Sequence, residues 1–232
     1  MNAIEPTVVA PRGKSDFMRR HRMGLTWLAA AVWLAAVGFC MALIQQYSVT
    51  PGDAGTPPAH WPAESRIPLD PKLPTLVLFA HPHCPCTRAT MGELDLLMAR
   101  VQGRAKVQVW FLKPDGTAES WTNTDLWSSA AAIPGVTVQE DRSGREANLF
   151  HAETSGQTLL YHPDGHLMFQ GGITIARGHA GDNPGRSALY NLLTDHQVNE
   201  PLASEALAQI KTPVFGCSLF ARQCQSGGAV KP

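Results

Sequence analysis

The longest apolar run of the chain lies near its N-terminus, from Gly24 to Ile44. These 21 residues carry no charge, and this is the length that an α-helix needs to cross a bilayer. Basic residues precede the run and the first charge after it is Asp53, an asymmetry that predicts a cytoplasmic N-terminus. The pattern therefore predicts a basic cytoplasmic tail at 1–23 and one transmembrane helix at 24–44. A cleaved signal peptide is the alternative, although its apolar core would be shorter.

A proline-rich segment follows at 45–72. The stretch from Ser48 to Pro74 inclusive contains seven prolines, and the apolar residues among them have no regular period. Because proline fixes the backbone and cannot continue a helix, this segment is predicted to be an extended periplasmic tether. Its last part, from Arg66 onward, is a candidate to pack on the domain as irregular structure.

Regular hydrophobic periods predict a folded domain at 73–200. Thr75–Ala80 is a short apolar run, typical of a strand that is buried on both faces. From about Thr87 the period becomes helical, and Gly103 ends that helix before the next strand at Lys106–Leu112. The apolar face of the helix comprises Met91, Leu94, Leu97, Met98 and Val101.

The second half of the domain alternates in the same way and ends in a hairpin. The predicted elements are a helix at Trp121–Ile133, a strand at Val136–Glu140, a short helix within 144–153, strands at Thr158–Tyr161 and Leu167–Gln170, and a helix at Asn183–Leu193. This order predicts an α/β fold with a central mixed sheet flanked by helices. Residues 201–232 are then a C-terminal extension.

Composition narrows the classes of function. The formal net charge is zero and no basic cluster follows the N-terminal one, so the sequence does not indicate a nucleic-acid partner. An apolar content of 44% is sufficient for a packed core. In a periplasmic domain, disulfides can form and persist.

Two cysteines, Cys84 and Cys86, lie between the first predicted strand and helix with only Pro85 between them. A helix N-terminus carries free N–H groups and partial positive charge, which stabilise a thiolate. We expect Cys84 to be the more exposed thiol and the nucleophile, with Cys86 close enough to resolve a mixed disulfide. Because a Cys84–Cys86 disulfide closes a very small ring, it is predicted to be strained and easily reduced rather than structural.

These motifs resemble the thioredoxin-like superfamily, in particular its membrane-anchored periplasmic branch. The segment LVLFAHPHC resembles the strand that leads to the family's first active cysteine, with the family's spacing from Phe79 to Cys84. The segment GQTLLYHPDGHLMFQGGIT resembles the family's hairpin, including Thr158 and Gly165. The resemblance covers about 73–193 and implies a thioredoxin-like fold.

Two features depart from the family's pattern. The family usually has two residues between its cysteines, whereas this chain has one. Gln157 stands where the family has a cis-proline, and a cis bond before a non-proline residue is costly, so this loop is expected to differ or to be trans. The resemblance still implies supporting positions at Gln157 and Thr158.

A metal site is the alternative use of the same segment. His81 and His83 place imidazoles beside the thiols of Cys84 and Cys86, a ligand set suited to copper(I) or zinc. Side chains from so short a segment cannot easily all turn toward one ion. The same histidines, when protonated, are also candidates to support a thiolate at Cys84.

The C-terminal extension contains two more cysteines, Cys217 and Cys224. In an oxidising compartment they are expected to form a local structural disulfide. The alternative is that one of them exchanges electrons with Cys84 or Cys86.

A polar, glycine-rich loop at 171–186 contains Arg177 and His179. Long ordered loops in compact domains are often functional. If the loop lies near the cysteines, these two side chains are candidates to hold a thiolate.

The sequence as a whole predicts a thiol–disulfide oxidoreductase without a cofactor, anchored in the inner membrane with its domain in the periplasm. Its predicted partners are periplasmic protein thiols and disulfides, a membrane electron donor, and the bilayer through 24–44. Two other interpretations stay open: a copper or zinc delivery protein, and a thioredoxin-like scaffold without chemistry of its own.

Overall fold

The computed structural model describes residues 13–194 and 209–220. The chain divides into two compact units, one up to Tyr47 and one from Ser48. The first unit contains most of helix α1, Gly13–Val49. Within it, Phe17–Val49 has a mean hydropathy of 2.2 and is long and apolar enough to cross a membrane, although an N-terminal signal sequence has the same properties.

The second unit is built on a six-stranded mixed sheet with the strand order β3-β2-β1-β4-β5-β6. Strands β1, β2 and β3 are parallel, β4 is antiparallel to both β1 and β5, and β6 is parallel to β5. The elements in chain order are β1 (Thr75–Ala80), α2 (Thr87–Val101), β2 (Lys106–Lys113), a 3₁₀ helix (Glu119–Thr122), α3 (Asp125–Ala131), β3 (Val136–Arg142), α4 (Arg145–Leu149), β4 (Gln157–Tyr161), β5 (Leu167–Gly171), α5 (Pro184–Thr194) and β6 (Ile210–Lys211). The fold is thioredoxin-like, as predicted.

Strand β1 separates two hydrophobic cores, because alternate side chains of a strand point to opposite faces of the sheet. Leu76 and Leu78 belong to the core that contains α2, α3 and α5. Val77 and Phe79 belong to the core on the other face, with α4 and Tyr161. All six residues of β1 are buried, which confirms a strand covered on both faces.

Helix α2 begins at Thr87, where the sequence predicts it. The five predicted apolar residues of its inner face are all buried. Full burial of such a side chain stabilises the fold by about 1.5–3 kcal/mol, so this face fixes α2 on the sheet. The position of its first turn, which carries the cysteines, is fixed with it.

The helix predicted at Trp121–Ile133 is wrong as a single element. A 3₁₀ turn ends at Thr122 and α3 begins only at Asp125. Between them Thr124 is extended, and its side chain accepts a hydrogen bond from Trp127 N at 3.3 Å. Threonine is a favoured N-cap, and this cap starts a new helix where the apolar period alone suggested a continuous one.

The proline-rich segment is not a free tether; from Ser48 onward it contacts the domain. Its carbonyls accept side-chain hydrogen bonds from the sheet, at 2.6 Å from Gln157 Nε2 to Ala54 O and 2.9 Å from Tyr161 Oη to Pro58 O. The ring of Trp61 meets that of Tyr161 edge-on, with 5.1 Å between centroids. The extended prolines leave carbonyls unpaired within the segment, and the sheet face supplies their donors.

Strand pairing brings two further segments to the cysteine loop. The β1–β4 pair places Phe79 opposite Gln157, and Gly156 N donates to Phe79 O at 2.8 Å. The loop just before β4 therefore lies beside the end of β1. Strand β6 is parallel to β5, so the chain after Lys211 leaves the sheet at the end where β1 leads into the cysteine loop.

Candidate active site

The loop between β1 and α2 is a series of tight turns. Cys84 N donates to His81 O, and Thr87 N donates to Cys84 O, each at 3.1 Å. Cys86 has helical dihedrals and is the N-cap of α2. Both thiols are therefore held at the first turn of a helix whose position the core fixes.

A third thiol, Cys217, completes this site. Its Sγ lies 2.7 Å from Cys84 Sγ, and its backbone N donates to Cys84 Sγ at 3.4 Å. The Sγ atoms of Cys84, Cys86 and Cys217 all lie within 4.8 Å of one another. We call these three residues the thiol cluster.

Cys217 is delivered by a C-terminal segment, 214–219, that pairs with the loop before β4. Ser155 N donates to Cys217 O and Leu219 N donates to Glu153 O, each at 2.8 Å. Thr154 and Ser218 form an isolated antiparallel bridge between these two bonds. The segment therefore adds a short antiparallel strand beside the thiols.

Close packing at Gly216 holds the segment against this loop. A Cβ placed on Gly216 would lie 1.9 Å from Ser155 O, so only glycine permits this approach. The Arg177 guanidinium donates to Gly216 O, and its Nε donates to Thr50 O at 3.1 Å. Arg177 thus joins the proline-rich segment to the residue before Cys217.

The expected exposure of Cys84 is wrong. Its side chain is 1% exposed, and that of Cys86 is 8% exposed. The physical reason is the C-terminal segment, which places Cys217 over the Cys84 thiol.

The pKa of Cys84 is lowered to about 4. The main cause is the hydrogen bond from the Cys217 thiol, with further donation by the Thr87 hydroxyl and by the backbone N–H groups of Cys217 and Thr87, while burial opposes them. Cys84 is therefore a thiolate at neutral pH. This supports Cys84 as the nucleophile.

The other two thiols stay protonated at neutral pH. Burial raises the pKa of Cys86, and the negative charge of Cys84 raises it further. The hydrogen bond to Cys84 raises the pKa of Cys217, and burial adds to it, while the Arg177 charge acts in the opposite direction. The cluster thus holds one negative charge on Cys84 and two protons on its neighbours.

Ser155 and Thr87 form a hydroxyl pair beneath the cysteine loop. Ser155 Oγ accepts a hydrogen bond from His81 N at 2.8 Å and lies 2.7 Å from Thr87 Oγ1. Through Thr87, this pair fixes a donor toward Cys84. The sequence pattern gave no signal for Ser155, because its role depends on the pairing of β1 with β4.

The two histidines do not join the thiols. Among the described residues, the potential metal ligands that lie close together at this site are the three thiols, and neither His81 nor His83 is among them. His83 is exposed and its ring packs on Trp121, with 4.4 Å between centroids. Burial lowers the pKa of His81, so a protonated His81 does not hold the thiolate. The predicted ligand set of two histidines and two cysteines is therefore replaced by three cysteines.

The remaining predicted residues have mixed outcomes. Gln157 is buried and follows a trans peptide bond, and its amide binds Ala54 O rather than a thiol. Thr158 is buried, with its hydroxyl directed to Gly156 O. His179 is exposed and its ring contacts Arg177 O at 2.8 Å. Only Arg177 approaches the cluster.

Cys217 carries a thiol that contacts Cys84, and its predicted local disulfide with Cys224 stays a prediction. Cys224 itself lies outside the described residues. The spacing of the two cysteines suggested a local pair, whereas the docking of segment 214–219 gives Cys217 a distant partner.

No protein-family model and no curated protein sequence matches the chain. Among solved structures, an uncharacterised conserved protein from Geobacillus kaustophilus is similar, with a TM-score of 0.50 and 15% identity over 74% of this chain and 92% of that one. A secreted Mycobacterium tuberculosis disulfide oxidoreductase, described as homologous to E. coli DsbE, gives 0.38 and 14% over 54% and 82%. StoA from Bacillus subtilis gives 0.41 and 13% over 63% and 99%. Similarity at this level concerns the fold alone.

Proposed function

We propose that the protein is a membrane-anchored periplasmic thiol–disulfide oxidoreductase that acts through Cys84 and Cys86. The observation that carries this proposal is the position of Cys84 just before α2, where its Sγ lies 2.7 Å from Cys217 Sγ and 3.4 Å from Cys217 N, contacts that lower its pKa to about 4. The thiolate is the reactive form of cysteine, and a second thiol two residues away is placed to resolve what it forms.

The exchange has two steps, both centred on the Cys84 sulfur. In the first, the Cys84 thiolate attacks a substrate disulfide, a Cys84–substrate bond forms, and one substrate thiolate leaves. In the second, Cys86 loses its proton and attacks Cys84, which releases the other substrate thiolate. The substrate disulfide is reduced and the Cys84–Cys86 pair is oxidised; the reverse sequence oxidises a substrate dithiol.

Access to Cys84 requires movement of the C-terminal segment 214–219. This segment covers a thiol that is 1% exposed, so a protein disulfide reaches Cys84 only when the segment has moved away. It is held by backbone hydrogen bonds, by Arg177 and by the buried side chains of Val214 and Leu219, so these contacts must break before the segment opens.

Helix α1 supplies the proposed anchor. Its apolar part is long enough to span a bilayer, and the charge pattern favours a cytoplasmic N-terminus. The basic residues on that side are Arg12, Lys14, Arg19, Arg20 and Arg22. The partners proposed on this basis are periplasmic protein thiols or disulfides and a membrane electron donor.

The test is a redox titration of the full-length protein in detergent against glutathione buffers. After acid quenching, alkylation and mass analysis report the thiols that remain. We expect one two-electron transition that Cys84→Ser abolishes and that Cys40→Ser, the matched change within α1, leaves in place. A cluster that stays fully reduced across the buffer range would contradict the proposal.

Binding of a thiophilic ion is a second candidate function. It is favoured by one observation, the grouping of three sulfurs within 4.8 Å, because thiolates select copper(I) and zinc. Cys84, Cys86 and Cys217 would hold the ion. Stoichiometric copper(I) binding by the reduced protein, lost in Cys217→Ser and retained in His83→Ala, would support this function over exchange chemistry.

A further inference from the structure

We propose that Cys217 is a third redox-active thiol. It attacks the Cys84–Cys86 disulfide at Cys84 and forms a Cys84–Cys217 disulfide. This inference rests on the proposed function, since it requires that Cys84 is oxidised in the first place. It assigns to the C-terminal extension a direct part in the exchange. It also makes the protein a three-cysteine system rather than a two-cysteine one.

The distance between the two sulfurs is the first support. Cys84 Sγ and Cys217 Sγ are 2.7 Å apart, and an S–S bond of about 2.05 Å is therefore a small displacement away. Cys217 N also donates to Cys84 Sγ at 3.4 Å, so the backbone of Cys217 is held at this thiol and does not depend on one side-chain rotamer.

The attachment of segment 214–219 is the second support. Ser155 N donates to Cys217 O itself, and the residues on either side are held by the Leu219 N–H bond to Glu153 O and by Arg177 at Gly216 O. The glycine at 216 permits a contact that any side chain would block. These contacts give Cys217 a fixed place in front of Cys84, where a thiol of a bound partner would also have to lie.

The exchange balances without an outside oxidant. Starting from the Cys84–Cys86 disulfide, Cys217 gives up its proton and its thiolate attacks Cys84 Sγ. The Cys84–Cys217 bond forms, the Cys84–Cys86 bond breaks, and Cys86 leaves as a thiolate that takes a proton. The small Cys-Pro-Cys ring is opened in this step, which favours transfer onto Cys217.

The new disulfide fixes the C-terminal segment over the cluster. It joins positions 133 apart in the chain and keeps Cys84 away from further partners until a reductant thiolate attacks it. Reduction returns Cys84 as a thiolate and Cys217 as a thiol. The oxidised protein is thus closed and the reduced protein can open.

Peptide mapping of the full-length protein tests the inference. The protein in detergent is treated with oxidised glutathione, quenched with acid, alkylated and digested with trypsin without reduction. Cleavage at the basic residues separates Cys84 and Cys86 in 73–88, Cys217 in 212–222 and Cys224 in 223–232. We expect 73–88 linked to 212–222 in the wild type and in Cys86→Ser, and at least a tenfold loss of this link in Cys84→Ser.

Two matched variants separate docking from folding. Gly216→Ala places a Cβ against Ser155 O and is expected to lower the linked fraction at least tenfold while 73–88 still forms its internal disulfide. Gly92→Ala, on the open side of α2, has nothing within 4 Å of the added atom and is expected to leave the linked fraction unchanged.

Three results overturn the inference. If 73–88 is oxidised only internally and 212–222 is alkylated, Cys217 takes no part and the proposed function stands without it. If 212–222 is linked to 223–232, the local disulfide is the correct pairing. If 73–88 is not oxidised at all, the proposed function fails together with this inference.

Discussion

Cys84 and Cys217 lie 133 positions apart in the chain, and their Sγ atoms are 2.7 Å apart. Because of this contact, the site is a cluster of three cysteines in which Cys84 can pair with either Cys86 or Cys217. It explains both the low pKa of Cys84 and its burial, since the same residue donates the hydrogen bond and covers the thiol.

Removal of Cys217 is expected to raise the pKa of Cys84. In Cys217→Ala the main donor to the thiolate is gone, whereas Thr87 remains, so the pKa rises from about 4 by about one unit or more. The thiolate therefore forms at higher pH in the variant. Thiolate absorbance near 240 nm of the reduced protein, followed against pH, measures the shift. Cys224→Ala is the control, and equal titration curves for wild type and Cys217→Ala would refute the assignment of the donor.

Local patterns explain what could be predicted from the sequence. The strand at Thr75–Ala80 and the start of α2 at Thr87 follow from neighbouring residues, because an apolar run and a helical period are local signals. The placement of Cys217 depends on β6 joining β5 and on the loop at Ser155. No period or motif encodes such a pairing.

The failures of the sequence interpretation have the same origin. The proline-rich segment has no hydrophobic period, yet its carbonyls find donors such as Gln157 on the folded sheet. The apolar pattern continues through Thr124, but the Thr124 side chain caps a new helix there, so the structure has two elements. The expected exposure of Cys84 is wrong because the loop sequence does not indicate that Cys217 covers the thiol.

Opening of the C-terminal segment should control the reactivity of Cys84. Alkylation by iodoacetamide at pH 6, where Cys84 is the thiolate of the cluster, is expected to be slow despite the low pKa, because the thiol is 1% exposed. Gly216→Ala disturbs the docked segment, and a loss of about 1.4 kcal/mol in docking raises the open fraction and the rate about tenfold. Mass analysis of peptide 73–88 against time measures the rate.

Gly92→Ala is the control for this experiment and should react like the wild type. Equal rates in Gly216→Ala and the wild type would mean that segment 214–219 does not limit access to Cys84.

The buried carboxylate of Glu93 is expected to be important for stability. It is 0% exposed and binds Gly181 N at 2.6 Å, Asn183 Nδ2 at 3.2 Å and the guanidinium of Arg186. Glu93→Ala leaves the largely buried Arg186 without its buried partner, which costs about 3–5 kcal/mol. Urea unfolding of the detergent-solubilised protein, followed by tryptophan fluorescence, measures the loss.

The matched control is Asp182→Ala, which removes the exposed partner of the same arginine. An exposed pair contributes about 0–1 kcal/mol, so this variant should unfold almost as the wild type does. If both variants lose the same stability, the Glu93 contacts are not what holds the loop at 181–186 to α2.

Membrane orientation is testable with reporter fusions. Alkaline phosphatase, which is active only outside the cytoplasm, is fused after Gln46 and, as the control, after Met23. We expect activity from the first fusion alone, because the basic residues before the apolar helix favour a cytoplasmic N-terminus. Activity of the fusion after Met23 would mean that the reporter is exported without the apolar helix, and activity of neither fusion would contradict the proposed anchor.

The central claim is that the Cys84 thiolate attacks protein disulfides, and covalent trapping in cells tests it most directly. In the double variant Cys86→Ser, Cys217→Ser, both thiols that can release a trapped partner are absent. We predict mixed disulfides that disappear on reduction, more abundant than in Cys86→Ser alone because Cys217 still releases some partners there. We predict none in Cys84→Ser. Mixed disulfides in Cys84→Ser, or none in the double variant, would contradict the account.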